Sequence, residues 1–113
     1  MTTETTAPPR LYECMFLLSQ AEAADFNAAI GHLDEILSRS ECDVLAMRKW
    51  DERRLAYEID KQKRGVYILC YFTAEGDAAG RVERECGLSE HVMRVLVVRV
   101  DHMTVDQARA ADD

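Results

Sequence analysis

The chain has 113 residues, of which 48% are hydrophobic, so it is long enough for one small domain with a modest core. Its net charge of −7 argues against a protein that binds nucleic acid without help, because phosphates would repel it. The apolar runs are of strand length, too short to cross a membrane, and the N-terminal residues lack the basic and apolar regions of a secretory signal. We therefore expect a cytoplasmic protein that does not bind membranes.

The first half of the chain predicts a strand, a helix and a long interrupted strand. Residues 11–18 form an apolar run of strand length, and S-Q-A-E at 19–22 has the spacing of a capping box that starts a helix. A second strand at 43–49 is expected to kink near Asp51 and to resume at 54–59. The helix between the strands carries apolar residues at steps of four, three and four, which share one face: Phe26, Ile30, Leu33 and Leu37.

The second half repeats this order. A polar turn at 61–65 ends in glycine, and residues 66–73 are rich in β-forming side chains. Asp77 is placed to cap a short helix, and a strand of β-branched residues follows at 92–100. This second helix is expected to end at Gly87 and to bear Val82 and Cys86.

The order of elements is therefore β-α-β-β-α-β. With right-handed crossovers it predicts an α+β ferredoxin-like sandwich, in which a four-stranded antiparallel sheet has both helices on one face. We assign residues 11–101 to this domain, residues 1–10 to a disordered N-terminal extension and residues 102–113 to a flexible acidic tail.

The predicted strands are apolar on both faces, although helices cover only one face of such a sheet. The opposite face would carry seven apolar or aromatic side chains, a patch too large for a monomer to leave exposed. A tail folded over the sheet is one alternative, but both tails are short and polar. We predict instead that a protein partner covers this face, through Met15, Leu17, Tyr67, Leu69, Tyr71, Leu96 and Val98.

Positive charge is concentrated in one part of the chain. Residues 48–64 hold seven basic and four acidic residues, whereas the rest of the chain holds 7 basic and 17 acidic residues. In this stretch W-D-E-R-R-L-A-Y-E-I places guanidinium forks that bind phosphate beside aromatic rings that stack on bases. A solvated strand face is the alternative interpretation. We predict RNA binding, with the candidate residues Arg10, Arg48, Lys49, Trp50, Arg53, Arg54, Tyr57, Lys61, Lys63, Arg64 and Arg94.

The cysteines and histidines show no ligand motif. There is no C-x-x-C pair, and the three histidines are not paired with cysteines at ligand spacing. Cys14 and Cys70 lie among apolar residues in predicted strands, where a thiol packs as a small hydrophobe. We therefore expect free buried thiols and no metal.

The same residues carry a family resemblance. The chain resembles the bacterial small-subunit (30S) ribosomal protein number six (S-six) family, from Tyr12-Glu13 through the W-D-E-R-R-L-A-Y-E-I stretch and Gly65-Val66-Tyr67 to L-S-E-H-V-M-R-V-L-V-V-R at 88–99. R-R-L-A-Y followed by Ile, together with the last strand, is the specific combination. Two positions depart from the family, which often has Gly where this chain has Asp51 and Pro where it has Glu58.

The resemblance implies a function. Members have the ferredoxin-like fold and are non-catalytic, ribosome-associated constituents of the small subunit. They bind the central domain of its ribosomal RNA together with small-subunit ribosomal protein number eighteen (S-eighteen), a small basic protein. Such a partner would cover the helix-free sheet face and would supply the positive charge that this chain lacks.

Two other function classes fit the fold less well. A cytoplasmic ligand-binding or regulatory module would show a Gly-rich loop or a Cys/His pair near the first turn, and S-Q-A provides neither. An acylphosphatase-type hydrolase needs an Arg in a phosphate-binding loop after the first strand, and residues 18–24 contain no Arg. Ser89 and His91 are more simply explained as part of a turn. We expect no enzyme activity, no cofactor and no small-molecule substrate.

Overall fold

The computed structural model describes residues 9–59 and 61–110, which form four strands and four helices within these ranges. The predicted N-terminal extension lies outside the described residues up to position 8, and the first strand already begins at Arg10. The elements are β1 (Arg10–Ser19), α1 (Gln20–Ala23), α2 (Phe26–Arg39), β2 (Asp43–Ile59), β3 (Gln62–Ala74), α3 (Ala78–Leu88), β4 (Arg94–Arg99) and α4 (Val105–Ala110).

The four strands form one antiparallel sheet in the order β2-β3-β1-β4. This is the strand order of the predicted ferredoxin-like sandwich, which is confirmed. Helices α2 and α3 bury their apolar faces against alternate residues of the two central strands β1 and β3. This main core contains Cys14, Phe16, Leu18, Ile68, Cys70, Phe72, Leu33, Leu37 and Val82, each at most 1% exposed. Among the described helices none is long and apolar enough to cross a membrane.

The predicted first helix is divided in two. Ser19 Oγ accepts a hydrogen bond from the Glu22 amide at 3.1 Å, so the cap predicted from S-Q-A-E is present. The helix ends after one turn, and Asp25 starts α2 by accepting a hydrogen bond from the Ala28 amide at 3.2 Å. Because α2 starts at this point, Phe26 occupies its first turn and is 37% exposed. Phe26 is therefore much less buried than Leu33 and Leu37, with which it was predicted to share one face.

The predicted cap of the other helix is present. Asp77 Oδ1 accepts a hydrogen bond from the Gly80 amide at 3.1 Å, and α3 extends one residue beyond the predicted end at Gly87. Val82 and Cys86 lie on its buried face, as expected.

A β-bulge lies where the sequence predicts a kink. Lys49 pairs with Ile68 and Asp51 pairs with Tyr67, so Trp50 is an extra residue without a partner in β3. The strand does not end here but continues to Ile59, and it is 17 residues long. An extra residue increases the local twist and re-aims the side chains around it. The bulge therefore forms without a glycine at position 51, where this chain has Asp.

The polar turn predicted at 61–65 is shorter than expected. Ile59 pairs with Gln62, so the strand β3 already begins inside the predicted turn, and Lys61 just before it adopts a φ of 65°. Gly65 lies inside β3, and a Cβ atom there would collide with the Leu17 side chain. The glycine thus permits a close approach of β3 to β1. In a sequence, a glycine with this role looks the same as one that marks a turn.

The C-terminal residues cover part of the helix-free sheet face. Ala108 of α4 is fully buried in a second apolar cluster, so the expectation of a flexible tail is wrong for residues 105–110. The helix has a reciprocal capping box, in which Thr104 Oγ1 accepts from the Gln107 amide at 3.1 Å and Gln107 Oε1 accepts from the Thr104 amide at 2.8 Å. The cluster around Ala108 consists of Leu11, Ala46, Leu69, Tyr71 and Val100, with Met15, Leu45 and Met103 at its edge.

We expect the substitution Ala108→Asp to lower the free energy of unfolding by about 1–3 kcal/mol, because it introduces an unpaired charge into a closed apolar contact. Urea unfolding monitored by circular dichroism measures this change. The matched control Ala110→Asp places the same charge on an exposed position of the same helix and should change stability by less than about 0.5 kcal/mol. Equal effects of the two substitutions would show that α4 does not dock on the sheet.

Candidate nucleic-acid and protein interfaces

Three planar groups, those of Arg53, Trp50 and Tyr67, contact one another in that order at the bulge in β2. The Arg53 guanidinium lies 4.6 Å from the centre of the Trp50 ring, which is the geometry of a cation–π contact. The Trp50 ring in turn meets Tyr67 edge to face, with 5.9 Å between ring centres. Trp50 is 41% exposed. The bulge therefore presents a flat aromatic and cationic surface to solvent.

Asp51 orients this arginine. Arg53 Nε donates a hydrogen bond to Asp51 Oδ2 at 2.6 Å, and the Glu52 amide donates to Asp51 Oδ1 at 2.7 Å. The Arg53 hydrogen bond is the largest cause, ahead of the amide, that holds the pKa of Asp51 below its usual value. Asp51 is therefore ionised at neutral pH, and it fixes the guanidinium beside the Trp50 ring while offsetting part of its charge.

Lys49 is also paired with an acid. Its Nζ lies 3.4 Å from Glu52 Oε1, and Gln20 donates to the other oxygen of this carboxylate at 2.7 Å. The hydrogen bond from Gln20 and then the one from Lys49 lower the pKa of Glu52. The charge of Lys49 is thus compensated within the protein, which makes it a weaker candidate for a phosphate contact.

Arg54 and Arg64 form an uncompensated basic pair. They are direct cross-strand partners in the β2–β3 hairpin, and both are exposed. Within residues 9–59 and 61–110, no ion pair neutralises either of them. Like charges directly opposite on two strands are unfavourable. An anion between the two guanidinium groups would remove that cost.

The strand register divides the predicted RNA-binding residues between two faces. Cross-strand partners share a face, so Arg53, opposite Gly65, and Arg48, opposite Leu69, lie on the helix-free side. Lys49, Arg54 and Arg64 lie on the other side. Lys61 and Lys63 are exposed near the hairpin tip, Tyr57 is 64% exposed, and Arg94 pairs with Leu17 at the same end of the sheet.

Two predicted RNA-binding residues stand apart from this group. Arg10 pairs with Ala74, at the end of the sheet opposite to the hairpin tip. From Arg10, β1 runs nine residues to Ser19, which lies at the end of the sheet next to the hairpin, and this distance is about 30 Å. Arg48 is half-buried on the helix-free face, and its buried Nε has no hydrogen-bond partner among the described residues.

The helix-free face carries the side chains that period two predicts, but three of them are buried within the chain itself. Leu17, Leu69 and Tyr71 are 4%, 7% and 7% exposed. Leu69 and Tyr71 belong to the apolar cluster around Ala108 of α4. The Tyr71 hydroxyl also donates a hydrogen bond to Glu13 at 2.8 Å. Burial raises the pKa of Tyr71 above its usual value. The expectation that the whole face is open to a partner is therefore wrong for these residues.

An apolar groove occupies the uncovered part of this face. Leu96 and Val98 are 64% and 41% exposed, whereas Met15 and Tyr67 are half-buried. The far end of β2 forms one wall of the groove and β1 and β4 form the other, around a volume of about 320 Å³. Its lining consists of Met15, Leu17, Leu55, Ala56, Tyr57, Ile59, Tyr67, Arg94, Val95 and Leu96.

The cysteines are free, as expected, and offer no reactive thiolate. Burial raises the pKa of Cys42 to about 11 and that of Cys86 to about 12, and it raises the pKa of Cys14 and Cys70 as well. All four thiols are therefore protonated at neutral pH.

One cluster of metal-ligating groups is present among the described residues. Glu22, His32 and His91 each offer a ligand atom, and these atoms lie within 4.8 Å of one another. No spacing motif predicts this cluster, because its members are far apart in the chain and belong to three different segments.

The fold and its surfaces define a class of protein: a ferredoxin-like sandwich with a basic, aromatic hairpin beside an apolar groove. The family described as Ribosomal protein S6 matches residues 11–99. Small ribosomal subunit protein bS6 of Rhodopirellula baltica is 35% identical over 96 residues, covering 84% of this chain and 69% of that protein. The bS6 protein of Fusobacterium nucleatum is 32% identical, covering 81% of this chain and 99% of that protein.

The chain therefore belongs to the ribosomal protein S6 family, as the resemblance in its sequence implied. It is a structural constituent of the small ribosomal subunit and not an enzyme, and as a ribosomal component it is cytoplasmic.

Solved structures agree on the fold. The 30S ribosomal protein S6 of Thermotoga maritima superimposes with a TM-score of 0.69 at 22% identity, covering 82% of this chain and 89% of that one. The C-terminal domain of the MgtC protein from Mycobacterium tuberculosis, at 12% identity, has a TM-score of 0.56. At these identities the two structures bear on the fold alone.

We expect the substitution Arg53→Gln to raise the pKa of Asp51 toward its usual value, because it removes the largest cause of the lowered pKa. An NMR titration of the Asp51 carboxyl carbon measures the shift. The stabilisation from this pair is present above the pKa that Asp51 has in the unfolded chain, and it is lost as pH falls through the lowered pKa of the folded state.

Arg54→Gln is the matched control for this titration. Arg54 lies on the other face of the same strand, so its removal should leave the pKa of Asp51 in place. An unchanged Asp51 pKa in Arg53→Gln would contradict the hydrogen bond between the two side chains.

Proposed function

We propose that the protein binds the central domain of small-subunit ribosomal RNA together with the basic protein S-eighteen, with RNA on the β2–β3 hairpin and the partner in the apolar groove. One observation carries this proposal: Tyr67 lines the groove and also contacts Trp50, which stacks on Arg53. A partner in the groove and RNA on the hairpin would therefore meet at a shared boundary. Binding of one would order side chains that contact the other.

Uncompensated charge supports the RNA contact. Arg54 and Arg64 face each other across two strands, and Lys61 and Lys63 extend the positive surface toward the tip. A phosphate between two guanidinium groups replaces their repulsion with charge-assisted hydrogen bonds. The exposed rings of Trp50 and Tyr57 add surfaces on which unpaired bases can stack.

The balance of charge supports a basic partner. Away from residues 48–64 the chain holds 7 basic and 17 acidic residues, which repel RNA and attract a basic protein. The groove itself is apolar, and Leu96 at its rim is 64% exposed, so a partner that inserts apolar side chains would gain burial. Arg94 also lines the groove.

The groove fits a small-molecule regulatory site less well. Such sites place several convergent polar groups among apolar walls to fix the orientation of the ligand. Among the described residues, the polar side-chain groups that line the groove are the Arg94 guanidinium and the hydroxyls of Tyr57 and Tyr67. The remaining lining side chains are apolar, which favours a protein partner over a small regulatory ligand.

The RNA contact is tested by the double substitution of Arg54 and Arg64 by Ala. It should weaken binding of the protein–partner complex to a central-domain RNA fragment. It should also reduce the slope of log affinity against log salt by up to about 1.4–1.8, since each lost phosphate contact removes roughly 0.7–0.9.

Arg10→Ala serves as the matched control for this experiment, because Arg10 is exposed at the other end of the sheet. Filter binding across a salt series gives both slopes. If the double variant keeps the parent slope, the two arginines do not contact phosphate.

The partner contact is tested by Leu96→Asp, with Leu88→Asp as control. Both leucines are exposed, at 64% and 76%, but Leu88 ends α3 and lies outside the groove. We expect Leu96→Asp to lower partner affinity at least about tenfold, a loss of about 1.4 kcal/mol, with the free energy of unfolding unchanged.

Calorimetric titration with the purified partner and urea unfolding of the same samples separate binding from stability. Tyr71→Ala provides the contrast, because Tyr71 is buried and its truncation should cost about 3 kcal/mol of stability. Equal partner affinity of Leu96→Asp and Leu88→Asp would exclude the groove as the interface.

A further inference from the structure

We propose that Glu22, His32 and His91 form a binding site for one divalent transition-metal ion of the zinc type. The three residues come from α1, α2 and the segment between α3 and β4, and they meet on the helix side of the sheet, away from the groove. The proposal is independent of the proposed RNA and partner contacts.

The geometry of the cluster fits such an ion. His91 Nδ1 lies 3.0 Å from Glu22 Oε2, and His32 Nδ1 lies 3.9 Å from the same oxygen. Ligand atoms bound tetrahedrally at zinc distances of about 2.0–2.1 Å are about 3.3–3.4 Å from one another. The observed separations lie on both sides of this value, so the ligand atoms are close enough to share one ion once the side chains adjust.

The state of His32 is a second, separate observation. Its Nδ1 atom is buried and has no hydrogen-bond partner among the described residues, because 3.9 Å to the carboxylate exceeds hydrogen-bond distance. A buried polar atom without a partner is unfavourable. Coordination of an ion by this nitrogen would satisfy it.

The two imidazole rings are stacked, with 3.6 Å between their centres and 12° between their planes. The neutral imidazole ring is the form that ligates metals. An ion must lie near the plane of each ring that binds it, so ligation would rotate the rings out of the stack. The second side-chain torsion of histidine permits such a rotation, since it has no sharp minima.

The cluster opens onto an acidic cleft that would admit a cation. The cleft has a volume of about 270 Å³, and the carboxylates of Glu35, Glu85 and Glu90 line it together with both histidines. Arg39 also lines the cleft and forms an ion pair with Glu35 at 3.5 Å. The excess of carboxylates favours cation entry, and a water molecule from the cleft would complete a four-coordinate site.

The donor set indicates the class of ion. Two imidazoles and one carboxylate suit Zn²⁺, Co²⁺ or Ni²⁺ better than Mg²⁺ or Ca²⁺, which prefer oxygen ligands. A bound ion would fasten α1 and α2 to the segment that leads into β4. The Ser89 hydroxyl accepts a hydrogen bond from the His91 amide at 3.0 Å, which helps to order the segment that carries His91.

Calorimetric titration of the chelator-treated full chain with Zn²⁺ tests the proposal. We expect one ion per chain, and we expect His32→Gln, His91→Gln and Glu22→Gln each to weaken its binding at least about tenfold. With Co²⁺ the parent should show the visible absorption of a four-coordinate ion. At 100 times the dissociation constant, Zn²⁺ should raise the melting temperature of the parent by roughly 10 °C.

Two controls address other metal ligands. His102→Gln removes an exposed histidine outside the cluster, and Cys42→Ser removes the half-buried thiol, so both should bind Zn²⁺ as the parent does. Circular dichroism in chelator selects the variants that fold, and one folded variant among the three ligand positions is sufficient. Binding of the parent weaker than about 100 µM, or equal binding by the parent and a folded ligand variant, would overturn the site.

Discussion

The pairing of β1 with β3 at the centre of the sheet is the contact on which the rest of the structure depends. Ten residues of β1 pair in unbroken register with β3, and both strands are apolar on both faces. Each face must therefore be covered. Helices α2 and α3 cover the apolar side chains of one face, and α4 covers only part of the other face. The exposed groove is thus a direct consequence of two central strands that have no polar side.

The hairpin depends on the same sheet but follows different rules. Up to Gly65, β3 is held by β1 on one side and β2 on the other, and its side chains serve the core. Between Gly65 and the hairpin tip, the charged and aromatic side chains do not pack in the core. The bulge at Trp50 lies near this change. The extra residue interrupts the alternation of side chains between the two faces, and it turns the planar Trp50 ring outward.

Periodicity and caps were enough to predict the order of elements, the strand faces and the caps at Ser19 and Asp77. The helix α4, which was not predicted, nevertheless has a local signal: T-V-D-Q at 104–107 is a capping box. Other features had no local signal. Gly65 is needed because the Leu17 side chain, 48 positions earlier, lies against it. The cluster of Glu22, His32 and His91 forms only when three separate segments pack together. Contacts of this kind depend on tertiary structure and leave no spacing motif.

The length of the β2–β3 hairpin implies a gradient of local stability along a single strand. The last pair between β1 and β3 joins Ser19 to Gly65, so the hairpin beyond it is a two-stranded ribbon, and its pairing is irregular between Arg54 and Ile59. Such ribbons are only marginally stable in water, whereas strands at the centre of a sheet open only with global unfolding. Backbone amides near the hairpin tip should exchange with deuterium orders of magnitude faster than those around Cys70. The ribbon thus keeps a conformational freedom that a bound polyanion would remove, and this ordering would cost entropy on binding. The rigid part of the same strand is already ordered by folding, so it would add no such cost.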